Sequence, residues 1–224
     1  RSRRRLNPRA WLGTLAAAAV LAGCAAGSPR PTPAELPPNV DLIGVRQAWH
    51  AKLAPIDFPL QVHTQGSQVL LATGEGTVTT LDARTGGVIG QVSAGAPLSA
   101  GVGSDGTVSA VVTRANQVVA LEGGRELWRH RLPTQSYTAP LVAGGRVFVL
   151  GADRSLTALD GKSGAKLWSL QRPAEPLVLR QAGVLLAVGN TLVAGMAGRM
   201  VGINPDDGGV RWEAPIAAAR GTND

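Results

Sequence analysis

Few side chains in this chain could do chemistry. There is one Cys, Cys24, and there are three His: His50, His63 and His130. A single thiol excludes an internal disulfide and any metal site built from several Cys. The His residues are isolated and follow no ligand spacing, so they read as surface or strand histidines. No Ser/His/Asp or Cys/His arrangement stands out that would pair a nucleophile with a base. The acids fall mostly in turn slots. Asp82 and Asp160 each end an apolar run and precede a Gly, where a carboxylate folds back onto turn amides. They read as turn formers, not as acids or bases. Gly74-Glu75-Gly76 lies between strand-like runs with no helix after it, so it is a turn rather than a phosphate cradle. Neither a metal nor a cofactor is expected.

The surroundings of Cys24 give its thiol a role. Residues 1–9 are basic, residues 10–22 are apolar, and Ala22 and Gly23 are small. An apolar run of about 13 residues is too short to span a bilayer comfortably. Basic, apolar and small segments in this order form a secretory signal. Leu21-Ala22-Gly23-Cys24 resembles a bacterial lipobox. That resemblance implies that Cys24 takes a diacylglyceryl group and becomes the N-terminus once residues 1–23 are removed. In enteric bacteria an Asp after the Cys marks retention at the inner membrane, so Ala25 implies the outer membrane. The first residue is Arg, not Met, so the start is expected to be missing. Residues 25–39 hold Pro29, Pro31, Pro33, Pro37 and Pro38 and read as an extended tether.

The formal charge of +7 misleads, because five Arg lie in residues 1–23. From residue 24 onward, 17 basic residues face 15 acidic ones. Nucleic-acid binding needs a concentrated basic face in the folded part, and none is visible.

Everything else follows one repeated sentence. Ala158-Leu-Asp-Gly-Lys-Ser-Gly-Ala-Lys-Leu-Trp168 holds a strand end, a turn with Asp160 and Gly164, and a new strand reaching Trp168. It recurs at Leu81-Asp82 with Gly86 and Gly90, at Leu121-Glu122 with Gly124 and Trp128, and at Ile203-Asn204 with Gly208 and Trp212. An isolated copy ends at Trp49. The Trp-equivalent positions are 49, 90, 128, 168 and 212, spaced by 41, 38, 40 and 44. A period near 40 means an array of supersecondary units. Each unit reads as four short strands; in the third these are 138–142, 147–151, 156–160 and 166–170. The predicted fold is all-β: a β-propeller of four-stranded antiparallel blades near 55–95, 96–133, 134–173 and 174–217. Each Trp should wedge between neighbouring blades, burying about 150–250 Å². Residues 40–54 read as a closing strand. The last unit has its own fourth strand, so that closing strand has no blade here to complete. The sequence is expected to hold about half of a larger ring.

The repeat sentence resembles that of pyrroloquinoline-quinone-type propellers. With the lipobox and tether, residues 24–224 are similar to the BamB family, the propeller lipoproteins of the outer-membrane β-barrel assembly machinery. This resemblance implies an eight-bladed ring, lipid-anchored at the outer membrane and facing the periplasm. It implies a non-catalytic scaffold that binds the periplasmic repeats of the machine's central barrel subunit. The family's Leu-x-Leu-Arg signature stands here as Leu177-Val-Leu179-Arg180. Spacing places these residues in a connection between blades lengthened by about three residues. There Leu177 and Leu179 point the same way and Arg180 can add a forked contact. Two other classes compete. A quinone-dependent dehydrogenase would need calcium ligands, a base and commonly a vicinal disulfide, which one Cys cannot make. An envelope sensor or binding propeller is the third. Cys24→Ala should abolish acylation; labelled fatty acid still entering that variant would contradict the lipid assignment.

Overall fold

The computed structural model describes residue 44 and residues 46–171, 182–196 and 198–216. The chain divides into two compact units, residues 1–46 and 47–224. Among the described residues, the second holds sixteen strands in four sheets. Blade I has β1 (His63–Gln65), β2 (Gln68–Ala72), β3 (Thr77–Asp82) and β4 (Val88–Ser93). Blade II has β5 (Gly103–Ser104), β6 (Val108–Val112), β7 (Gln117–Glu122) and β8 (Arg125–Arg131). Blade III has β9 (Leu141–Ala143), β10 (Arg146–Leu150), β11 (Leu156–Asp160) and β12 (Lys166–Leu170). Blade IV has β13 (Val184–Val188), β14 (Thr191–Met196), β15 (Arg199–Ile203) and β16 (Val210–Pro215). Each sheet is an antiparallel meander in sequence order. The all-β propeller reading holds. In blade III the third and fourth strands fall where the sequence puts them, whereas β9 begins three residues later than the predicted 138.

The sheets stack through both faces, and side-chain alternation decides which residue goes where. In β6, Val108, Ala110 and Val112 turn toward blade III, where they meet Val142, Val147 and Val149. Val111 turns the other way and joins Leu70, Ala72 and Val78 of blade I. In β10, Phe148 and Leu150 turn toward Leu192 and Ala194 of blade IV. A strand buried on both sides has no polar face. That is why Gln117-Val-Val-Ala-Leu121 runs apolar almost without a break. The short first strands lie innermost, since β9 packs against both β5 and β13.

Blade IV departs from this pattern on one side. Leu192, Ala194 and Ile203 are buried against blade III. On the opposite face Val184, Leu186 and Val188 are 53%, 47% and 60% exposed. Residues 46–54 form no strand, and Ala51 to Ala54 line a cavity with Thr79 and Leu81 of blade I. They lie where a fourth strand of a neighbouring blade would pack.

Phe148 is 2% exposed and its ring stands 5.9 Å from that of Trp168. Phe148→Ala should therefore destabilise the protein by about 3–5 kcal/mol. The exposed Lys162→Ala should stay within about 0.5 kcal/mol. Urea denaturation midpoints of the two variants check this.

Candidate functional site

The turn between the third and fourth strands carries the same device in three blades. In blade I, Asp82 Oδ1 accepts the backbone N–H groups of Arg84 at 2.9 Å and Thr85 at 2.8 Å, and the Thr85 hydroxyl at 3.0 Å. In blade III, Asp160 Oδ1 accepts Lys162 and Ser163 N–H at 3.1 and 2.8 Å, and the Ser163 hydroxyl at 2.8 Å. These bonds favour the charged carboxylate, so both groups sit below the usual Asp range. The Thr85 N–H is the main cause for Asp82, and the Ser163 hydroxyl for Asp160. Asn204 takes this place in blade IV and accepts Asp206 N–H at 3.3 Å.

Each turn closes with a left-handed glycine: Gly86, Gly164 and Gly208, at φ 71°, 71° and 78°. A tryptophan from the preceding segment lies flat on each. A Cβ built on Gly86 would stand 2.6 Å from the Trp49 ring, on Gly164 2.6 Å from Trp128, and on Gly208 2.8 Å from Trp168. Any larger residue there must lift the indole away as well as strain the backbone. The indole N–H completes the latch. Trp49, Trp128 and Trp168 donate to the carbonyls of Ala83, Gly161 and Pro205, each at 2.9 Å. Trp128 and Trp168 thus lie between the blade that carries them and a turn of the next, whereas Trp49 reaches the blade I turn from a segment that forms no strand. Trp212 is different. It lies over Gly202 of its own sheet, is 42% exposed, and meets no turn of another blade among the described residues.

Two parts of this device were not read from the sequence. One is a β-bulge, repeated in all four blades, where the third strand meets the fourth. The extra residue, Leu167 in blade III, immediately precedes the Trp position, and a bulge re-aims the next side chain. The other is a correction. By its place in the repeat, Gly124 is the expected counterpart of Gly164. In fact Leu121 pairs with Glu126, five positions on, whereas Leu159 pairs with Lys166, seven on. The blade II turn is a tight hairpin with Gly123 and Gly124 at φ 56° and 79°, and no Trp lies on it.

The opposite ends of the strands hold the connections between blades. Turns after the second strands bind the incoming chain: Gly74 N–H to Pro55 O at 3.1 Å, Arg114 N–H to Pro97 O at 2.9 Å, and Ala152 N–H to Gln135 O at 2.7 Å. Here a cavity of about 440 Å³ opens, lined by Asp57, Phe58, Arg114, Gln135, Tyr137 and Ala182 among others. Asp57 and Arg114 form an ion pair across it, which holds the Asp57 carboxyl below its usual range. The Ser99 hydroxyl donates to Ser136 O at 2.7 Å and so is already engaged. Among the described residues, none lining it is a His or a Cys. The cavity offers apolar surface, an ion pair and a phenol. That set suits holding a ligand better than attacking one.

Ala182 lies at the end of the connection from β12 to β13. That connection spans residues 171–183, thirteen positions, against nine each for 94–102 and 132–140. Leu177, Leu179 and Arg180 belong to it but lie outside the described residues, as does Cys24. Among the described residues no three His, Cys, Asp or Glu gather as metal ligands. No helix among them is long and apolar enough to cross a membrane.

Stacked four-stranded meanders latched by Trp on glycine turns define a β-propeller of the quinoprotein-repeat type. The fold recurs in a quinohemoprotein alcohol dehydrogenase from Pseudomonas putida, with a TM-score of 0.54 at 15% identity, covering 72% of this chain and 35% of that one. The BamB structure from Moraxella catarrhalis overlays with a TM-score of 0.64 at 24% identity, over 76% of this chain and 53% of that one. In sequence, the outer membrane protein assembly factor BamB of Bordetella pertussis is 34% identical, over 96% of this chain and 58% of the relative. The family profile described as outer membrane protein assembly factor BamB matches residues 74–224. The chain belongs to the BamB family. It spans somewhat more than half the length of the curated relatives it matches, 58% and 56% for two of them.

The lowered carboxylates predict a pH effect of fixed sign. A group whose folded pKa lies below its unfolded value stabilises the fold above that unfolded value, near 4 for Asp. The contribution is lost as pH falls through the folded value. Asp160→Asn should thus lower the melting temperature at neutral pH, and the gap to wild type should close below about pH 4. A gap that persists unchanged to about pH 2 would contradict this role for the Asp160 charge.

Proposed function

We propose that this chain belongs to a non-catalytic scaffold lipoprotein of the outer-membrane protein assembly machinery. The observation that carries the reading is family membership, with relatives named as assembly factors across nearly the whole chain. In this reading Cys24 carries lipid at the outer membrane, residues 25–39 form a tether, and the propeller faces the periplasm. Residues 40–54, which form no strand over 46–54 here, take up the closing-strand role only when a neighbouring blade pairs with them. The protein binds the central barrel subunit of the machinery and helps outer-membrane proteins fold and insert.

Leu177, Leu179 and Arg180 are the docking residues in this proposal. The length of their connection supports it: four residues beyond its two counterparts is spare chain that packing of the blades does not require. The connection also leads into Ala182, on the face that carries the 440 Å³ cavity. Two apolar side chains and a guanidinium make a compact contact for an edge that offers apolar surface and a carboxylate or carbonyl. The dehydrogenase reading shares the fold alone, at 15% identity.

Leu177→Ala, Leu179→Ala and Arg180→Ala in the full-length protein test this, with melting temperature and co-purification of the barrel subunit read together. Docking residues should lose co-purification while melting as wild type does. Residues tucked under the blade should lose about 2–5 kcal/mol of stability when Leu is truncated, and binding lost only in step with melting would end the proposal.

A further inference from the structure

We propose that the seam between blades I and II is a receptor for an aromatic side chain with basic neighbours, presented by a partner protein. The argument starts from a comparison inside the molecule. Three Trp positions place an indole on a glycine turn, with its N–H on the carbonyl that follows the Asp or Asn. At this seam both halves of the latch are missing. Gly90 stands at the Trp position of β4, paired with Thr80. The facing turn is the short Gly123-Gly124 hairpin. A Cβ at Gly90, Gly123 or Gly124 would meet nothing within 4 Å, whereas Cβ atoms at Gly86, Gly164 and Gly208 would collide with rings.

The space is a cavity. It measures about 210 Å³, and both Gly90 and the Glu122-Gly123-Gly124 turn line it. Its floor is apolar, formed by Leu70, Val78 and Leu121. Small-molecule sites typically run to about 300–1,000 Å³, so this one suits a single side chain rather than a cofactor. In sequence, Gly123 follows Glu122 as Ala83, Gly161 and Pro205 follow Asp82, Asp160 and Asn204.

Charge narrows the occupant. Among the described residues, Glu122 is the one charged residue lining the cavity. It makes no ion pair or side-chain hydrogen bond among the described residues. A cationic neighbour of the inserted ring would meet that carboxylate, and an anionic one would be repelled. The seam lies at the opposite ends of the strands from the 171–183 connection, so this surface is independent of the proposed docking residues.

Three capped peptides test it against the full-length protein by calorimetry: Lys-Trp-Lys, Lys-Ala-Lys and Glu-Trp-Glu. Lys-Trp-Lys should bind saturably with a Kd of about 1 mM or tighter, as expected for a fragment of this size. The other two should bind at least about five-fold more weakly, and Glu122→Gln should remove most of the advantage over Glu-Trp-Glu. Gly90→Trp should fill the seam, abolish binding and keep or raise the melting temperature. If that variant melts early, Gly90→Leu is the plug to measure. Equal binding of all three peptides, no saturable binding of Lys-Trp-Lys, or undiminished binding to a stably folded plugged variant would each overturn the proposal.

Discussion

The two middle sheets of this protein, blades II and III, are apolar on two faces, and that is the constraint on which the rest depends. Val111 and Val119 turn toward one neighbour, Val112 and Val118 toward the other, and all four are 0% exposed. A lone sheet of this kind would leave both faces in water, so no blade is a stable object by itself. The architecture follows: sheets must be stacked, each must twist to let the next pack, and the chain must cross to the next blade after every fourth strand. Blade IV shows the constraint from its open side. Its Val184, Leu186 and Val188 have the composition of a buried face and the exposure of a free one.

The indole latches sit on top of this packing and give it register. Face-to-face apolar packing is not directional, whereas an N–H donated to one carbonyl and a ring laid on one glycine are. Ion pairs do the same more weakly. Arg146 of β10 reaches Asp206 in the blade IV turn at 2.7 Å, and such partly exposed pairs contribute little to stability. Within blade II, Arg129 binds Glu126 and the Ala94 carbonyl, tying the outer strand to the incoming connection. Its guanidinium lowers the Glu126 carboxyl below its usual range.

Much of this was legible in the chain. A Trp, an Asp and a Gly at fixed offsets announce a strand, a turn and a strand, and four copies near 40 residues apart announce blades. The wedge role of Trp128 and Trp168 could be read because a large ring after a glycine turn has few other places to go. The bulge before each Trp could not be read, since it depends on cross-strand register and leaves no composition of its own. The blade II turn misled for a related reason: Gly124 fits the pattern by type, and only pairing reveals that two residues are missing. The cavity by Asp57 and Arg114 was invisible, because residues 57 positions apart meet there only through the stacking of separate blades. Leu177, Leu179 and Arg180 rest on a motif and a length, both matters of sequence.

The nearest-neighbour wiring also bears on how such a protein is made. Every latch joins a Trp to a turn only 33 to 37 residues further along the chain. A polypeptide is made from its N-terminus onward, so each meander can close and then seat against its predecessor before the next has arrived. Contacts of short sequence span favour rapid assembly and shorten the time that sticky strands stay exposed. A protein built this way grows as a stack lengthening from one end.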